Sequence, residues 1–97
     1  LKLMVHGVTG IVLVNVERPM LKEVISRIMQ LSGVSEVYTV AGEYDLVAMV
    51  RASDNRELAD VVANKMMRDI SGITHTRTLI SLDVDAKFDL SPAFKNE

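Results

Sequence analysis

Apolar residues recur along this chain in two rhythms, and the alternation between them predicts the order of its elements. Residues 11–16 (IVLVNV) are rich in β-branched types, too few for a solitary helix, and apolar on both alternating faces except at Asn15, which predicts a strand. Pro19 suits a first helical turn, and Leu21, Val24, Ile25, Ile28 and Met29 then follow at helical spacing until Ser32 and Gly33 stop them. That predicts a helix over residues 19–31. Residues 34–41 (VSEVYTVA) read as a second strand, Gly42-Glu43 as a Gly-X pair closing a tight hairpin, and residues 44–51 as an antiparallel third strand. Asp54 and Glu57 have capping-box spacing, with Asp where Ser or Thr is usual. Leu58, Val61, Val62, Met66 and Ile70 supply the buried stripe of a second helix, which Ser71 and Gly72 end. Residues 74–84 form a last strand, with Thr74, Thr76, Thr78, Ile80, Leu82 and Val84 on one face and His75, Arg77, Leu79, Ser81 and Asp83 on the other.

An internal repeat joins these elements. Leu31-Ser32-Gly33-Val34 and Ile70-Ser71-Gly72-Ile73 hold the same place in two strand-helix-strand halves. Two such halves in tandem give βαββαβ, an α+β ferredoxin-like fold in which two helices cover one face of a four-stranded antiparallel sheet. Strand one is nevertheless apolar on both sides, with Ile11 and Leu13 opposite Val12, Val14 and Val16. Strand three repeats this, with Leu46, Ala48 and Val50 opposite Val47 and Met49. A half-solvated sheet should alternate apolar with polar. The uncovered face is therefore expected to pack on the same face of a second copy, as a dimeric α+β barrel.

Composition narrows the chemistry. The 97 residues suffice for one domain, expected over residues 10–86, after a lead-in at 1–9 and before a loose tail at 87–97 that Pro92 interrupts. Eleven basic residues against 13 acidic, with no Lys/Arg cluster, argue against direct nucleic-acid binding. The absence of cysteine removes disulfides, thiolate zinc sites and cysteine nucleophiles, and fits a cytoplasmic protein. No apolar run is long enough to cross a bilayer, and the opening "LKLMVHGVTG" lacks the pattern of a signal peptide. His6 and His75 stand far apart without metal-site spacing, so no metal or cofactor is expected. The pairs Glu57 with Asp60 and Asp83 with Asp85 have the look of solvated surface rather than of a general acid/base dyad. The methionines on the helical stripes read as core or interface filler. Arg18, Lys22, Arg27, Arg56, Lys65 and Arg68 read as dispersed surface charge.

The stretch "VSEVYTVAGEYDLVAMV", followed by "GITHTRTLIS", resembles the effector-binding RAM domain of the Lrp/AsnC (feast/famine) regulators over about residues 9–86. Its most specific part is Gly42-Glu43-Tyr44-Asp45, which matches the family's Gly-x-Tyr/Phe-Asp hairpin; Thr76-Arg77-Thr78 supports it. About ten residues precede strand one, too few for the family's N-terminal helix-turn-helix, so the chain is similar to the stand-alone sensing modules. The resemblance implies βαββαβ dimers that assemble further, as octamers or decamers, with small amino acids held between dimers. It also implies a non-catalytic role in transcription regulation, through assembly with full-length Lrp/AsnC regulators.

The candidate ligand-binding residues are Gly42, Tyr44, Asp45, Thr76 and Thr78. An amino acid presents an ammonium and a carboxylate, so its receptor needs an anion for one and donors for the other. Asp45 can supply the anion. Backbone N–H groups near Gly42, where no side chain blocks approach, and the hydroxyls of Thr76 and Thr78 can supply the donors. Against this stand plainer readings: Asp45 pins the hairpin or pairs with Arg77, Tyr44 is a half-buried strand aromatic, and the threonines are ordinary strand residues. The roles of Tyr44 and the threonines rest on the resemblance alone. A competing function is a small enzyme on the same barrel, a cofactor-independent monooxygenase or isomerase, whose mark is an enclosed cavity beneath the helices containing His75. An ACT-type regulatory domain shares the fold and amino-acid binding but not the Gly-x-Tyr-Asp hairpin.

Overall fold

The computed structural model describes residues 7–88 and 91–94. The chain runs β1 (Val8–Val16), a 3-10 turn (Arg18–Met20), α1 (Leu21–Met29), β2 (Val34–Thr39), β3 (Leu46–Ala52), α2 (Asn55–Asp60), a π-helical continuation (Val61–Arg68) and β4 (Ile73–Ser81). A further 3-10 turn, Ser91–Phe94, lies against β3 within the stretch expected as a tail. The order is βαββαβ as expected. Strand β1 starts earlier than the pattern indicated, so Val8 and Thr9 belong to the sheet; of the rest of the expected lead-in, Gly7 forms a bend and residues 1–6 lie outside the described residues.

All pairings are antiparallel in the spatial order β2-β3-β1-β4, which puts β1 and β3 in the centre. Register fixes which residues share a face. Val12 lies opposite Ala48 and Thr78, and Val14 opposite Leu46 and Thr76. The buried positions of β1 and β3 alternate strictly: Val12 and Val14 with Leu46, Ala48, Val50 and Ala52. These face the helices, where Val24 and Ile28 of α1 and Leu58, Val61, Met66 and Ile70 of the second helical stretch complete the core. The opposite face carries Ile11, Leu13, Val47 and Met49, half-buried, and Leu79, which is 46% exposed. Neither α1 nor the second helical stretch covers them, since both pack on the other face.

The second helix departs from the simple stripe. From Val61 its turns widen, and the Asp69 N–H donates to the Asn64 carbonyl five residues back, the π pattern. The buried side chains fall accordingly at Leu58, Val61, Met66 and Ile70, with a gap of five in the middle, and Val62 is only half-buried. The start carries the expected cap, Asp54 Oδ1 accepting from the Glu57 N–H at 2.8 Å, while Glu57 Oε1 reaches one residue further back than a capping box, to the Ser53 N–H at 2.6 Å.

The repeated glycines make the two helix-to-strand turns alike, with φ of +93° at Gly33 and +103° at Gly72. At Gly33 the backbone is also closed in, since the Arg51 N–H donates to the Gly33 carbonyl at 2.6 Å and a Cβ would drive into the Arg51 carbonyl. Among the described residues no helix is long and apolar enough to cross a membrane.

Candidate functional site

The hairpin between β2 and β3 is wider than a Gly-X pair would make it. The Val40 N–H donates to the Asp45 carbonyl at 2.9 Å, leaving residues 41–44 as a four-residue loop. The cause lies on a third strand. The Asp45 N–H donates to the Val14 carbonyl at 3.0 Å, and Asp45 Oδ2 accepts from the Val16 N–H at 3.0 Å. That N–H needs a partner because β1 is irregular there: Asn15 pairs with His75 and Val16 with Ile73, a register shift that takes Val16 out of the regular ladder. A buried or half-buried N–H without an acceptor is costly, and a carboxylate is a strong acceptor. Asp45 thus pins the hairpin to the end of β1, and among the described residues it makes no ion pair with Arg77.

Pinning uses one carboxylate oxygen. Among the described residues, Oδ1 has no hydrogen-bond partner. Asp45 lies in the wall of a cavity of about 340 Å³ lined by Val16, Arg18, Leu21, Thr39, Val40, Ala41, Gly42, Tyr44 and Asp45. That volume is at the small end of the roughly 300–1,000 Å³ found for small-molecule sites. Gly42 has φ +135°, a conformation L side chains rarely adopt, and nothing stands within 4 Å of where its Cβ would be. The loop is therefore open on that side. Tyr44 is half-buried and its ring stacks on His75 of β4, with centroids 6.3 Å apart and planes 19° apart, so the loop is tied to both β1 and β4.

The threonines are elsewhere. Thr76 and Thr78 lie opposite Val14 and Val12, on the helix-bearing face of β4, and both are half-buried. Thr78 lines a second cavity of about 350 Å³ between the second helix and β4, with Asn55, Leu58, Ala59, Val62, Ala63 and Ile80. Within one chain, Gly42, Tyr44 and Asp45 come together and the two threonines do not join them. No titratable side chain lines the groove beneath the helix, and His75 is exposed, opposite Asn15. The arrangement that an enzyme on this barrel would need is not the one found at His75.

Pattern reasoning missed Arg18. It had the look of helix-surface charge, but the 3-10 turn Arg18–Met20 sets it in the wall of the hairpin cavity. The turn is held because the Met20 N–H donates to the Glu17 carbonyl and the Glu17 N–H to the Gly72 carbonyl, each at 2.8 Å. A proline immediately after an arginine, in a segment linking β1 to α1, was the available signal that Arg18 lies in the entry turn rather than on the helix. Away from the cavity, Ser35 and Tyr38 both donate to the Glu36 carboxylate, and those hydrogen bonds hold its pKa below the ordinary glutamate value. The same pairing raises the pKa of the Tyr38 hydroxyl.

Residues 9–85 match the family model described as the Lrp/AsnC ligand binding domain. An uncharacterised HTH-type transcriptional regulator of Pyrococcus abyssi is 40% identical over 62 residues, covering 64% of this chain and 41% of that protein. The crystal structure of TTHA0845 from Thermus thermophilus superposes with a TM-score of 0.74 at 34% identity, covering 82% of this chain and 99% of that one. The feast or famine regulatory protein of M. tuberculosis, solved complexed with L-methionine, has the same fold, with a TM-score of 0.68 at 22% identity over 84% of this chain and 54% of that one. The chain spans roughly two fifths of the length of the curated Pyrococcus regulators it matches over about 60 residues.

Proposed function

This chain belongs to the Lrp/AsnC family by its ligand-binding domain, and from that premise we propose that it is a non-catalytic sensing and oligomerisation module for a small amino acid. Two copies pack through their helix-free faces, covering Ile11, Leu13, Val47, Met49 and Leu79, which form an apolar surface on an otherwise finished fold. Dimers assemble further, as octamers or decamers. The ligand sits where they meet, between the hairpin cavity of one dimer and the β4 threonines, Thr76 and Thr78, of the next. The signal reaches DNA through helix-turn-helix domains of the same family.

The observation that carries this reading is the state of Asp45: one carboxylate oxygen holds the fold, the other has no partner among the described residues, and the residue lines a small cavity. A carboxylate needed only for pinning does not require a cavity in front of it. Ligand at such an interface couples binding to assembly, because what binds only the assembled form stabilises that form. The L-methionine complex of the M. tuberculosis protein makes that amino acid a natural first probe.

The test is calorimetric titration of the purified protein with the twenty amino acids, run beside sedimentation with and without each. Heat from at least one, with a change in assembled mass, is expected. Silence from all twenty at millimolar concentration, with unchanged mass, overturns the proposal.

A further inference from the structure

The hairpin cavity contains one anion and one cation. Of its nine lining residues only Asp45 and Arg18 are charged, and among the described residues Arg18 forms no ion pair. Resting on the sensing role above, we infer that Arg18 anchors the ligand's carboxylate opposite the Asp45 site for its ammonium. The ligand class is thereby narrowed to free α-amino acids carrying both charges. Amines, amino-acid amides and 2-oxo acids fall outside it.

Three features support this assignment. A guanidinium binds a carboxylate through parallel charge-assisted hydrogen bonds, which threonine hydroxyls or scattered backbone N–H groups do not match. Arg18 is anchored on a short turn rather than a mobile loop, since the Glu17 and Met20 N–H groups hold that turn to Gly72 and to itself. The rest of the wall mixes the aliphatic Val16, Leu21, Val40 and Ala41 with Thr39, Gly42 and Tyr44, so beside the two charges its aliphatic part suits a compact hydrocarbon or thioether side chain.

The pairing also explains how ligand can promote assembly. Covering the cavity with a neighbouring copy removes water from Arg18 and Asp45 together. Desolvating separate, unpaired charges is unfavourable. A zwitterion between them neutralises both, so the liganded surface closes more readily than the empty one.

The experiment titrates L-methionine, L-leucine, L-isoleucine and L-valine, the amide of each and the 2-oxo acid of each into the wild-type protein, Arg18→Gln and Arg18→Lys. For the wild type, at least one amino acid binds, and its amide and 2-oxo acid bind about tenfold more weakly or worse. Arg18→Gln loses about tenfold or more for the amino acid while its weak affinity for the amide changes less than about twofold, and Arg18→Lys recovers part of the loss. Circular dichroism of both variants matches the wild type. If an amino acid binds but Arg18→Gln takes it up equally well, or the amide binds as tightly, the Arg18 assignment is overturned and the sensing role stands. If none of the four binds the wild type while another of the twenty does, the aliphatic side-chain assignment fails. If none of the twenty binds, the sensing role fails and this inference with it.

Discussion

The carboxylate of Asp45 and the backbone N–H of Val16 meet at 3.0 Å across 29 residues of chain, closing a gap that the irregular end of β1 leaves in the ladder. One side chain thus has a structural task on one oxygen and, in the proposed function, a ligand on the other, and the two tasks can be separated by substitution. Asp45→Ala removes both, at a stability cost of about 1–3 kcal/mol in urea unfolding. Asp45→Asn keeps an acceptor for Val16 and loses the charge, so it should unfold within about 1 kcal/mol of wild type while losing amino-acid binding about tenfold or more. Equal loss of stability in both variants, with binding intact in Asp45→Asn, assigns Asp45 to the fold alone.

Glycines 33 and 42 should respond differently to alanine. At Gly42 the cost is the backbone conformation only, about 1–3 kcal/mol, since no atom lies within 4 Å of the added Cβ. At Gly33 the same positive φ is joined by collision with the Arg51 carbonyl, so Gly33→Ala should cost more. Urea midpoints for the two variants give the comparison directly; equal midpoints contradict it.

Leu13 and Met49 test the open face of the sheet. In a lone chain a charge there meets water, and Leu13→Asp leaves the secondary structure in place. In the proposed dimer it is buried without a partner, at a cost of several kcal/mol. Sedimentation at micromolar concentration should find single chains for Leu13→Asp and Met49→Lys and larger species for the wild type.

Thr78→Val tests the neighbouring-dimer contact. The substitution keeps the branched shape and deletes a hydroxyl that lines the groove beside the second helix. Loss of one ligand hydrogen bond should weaken amino-acid binding by about fivefold to tenfold with the fold retained. A dissociation constant unchanged by Thr78→Val removes that hydroxyl from the site.

Acid should weaken the fold partly through Glu36. Its folded pKa is lowered from 4.5, first by the Ser35 hydrogen bond and then by that from Tyr38, so its contribution is present above pH 4.5 and is lost as pH falls through the lower folded value. Glu36→Gln should therefore lose less stability than the wild type on acidification from pH 6 into that range. The effect is small, because the group is near solvent. Thermal melts of both proteins across the range give the difference.

Much of this molecule was legible because its apolar residues obey local rhythm. Leu46, Ala48 and Val50 declare one face of β3 by alternation, and Leu21, Val24 and Ile28 declare α1 by spacing. The repeated Ser-Gly turns declare the two halves. Other features depend on partners distant along the chain. The hairpin loop is four residues wide because Asp45 turns its N–H and carboxylate to Val14 and Val16, which nothing within residues 40–45 reveals. The π-helical stretch went unread because Val61, Val62 and Met66 satisfy an α-helical stripe as well as the wider one that forms. Arg18 looked like surface charge because its relation to Ala41 and Gly42 arises only when β1, the entry turn and the hairpin are assembled. The threonines share a period with the strand, but period alone does not say that the helices stand on their side of it.

Placing β1 and β3 in the middle of the sheet has a mechanical consequence. In the proposed sensing role, a molecule held by Asp45 would take hold of the end of a central strand, because Asp45 is hydrogen-bonded to Val14 and Val16 of β1. Its pull would act on the middle of the sheet and not on a flap at the rim. In the proposed assembly, a neighbouring subunit would sense the tilt of the sheet as one piece.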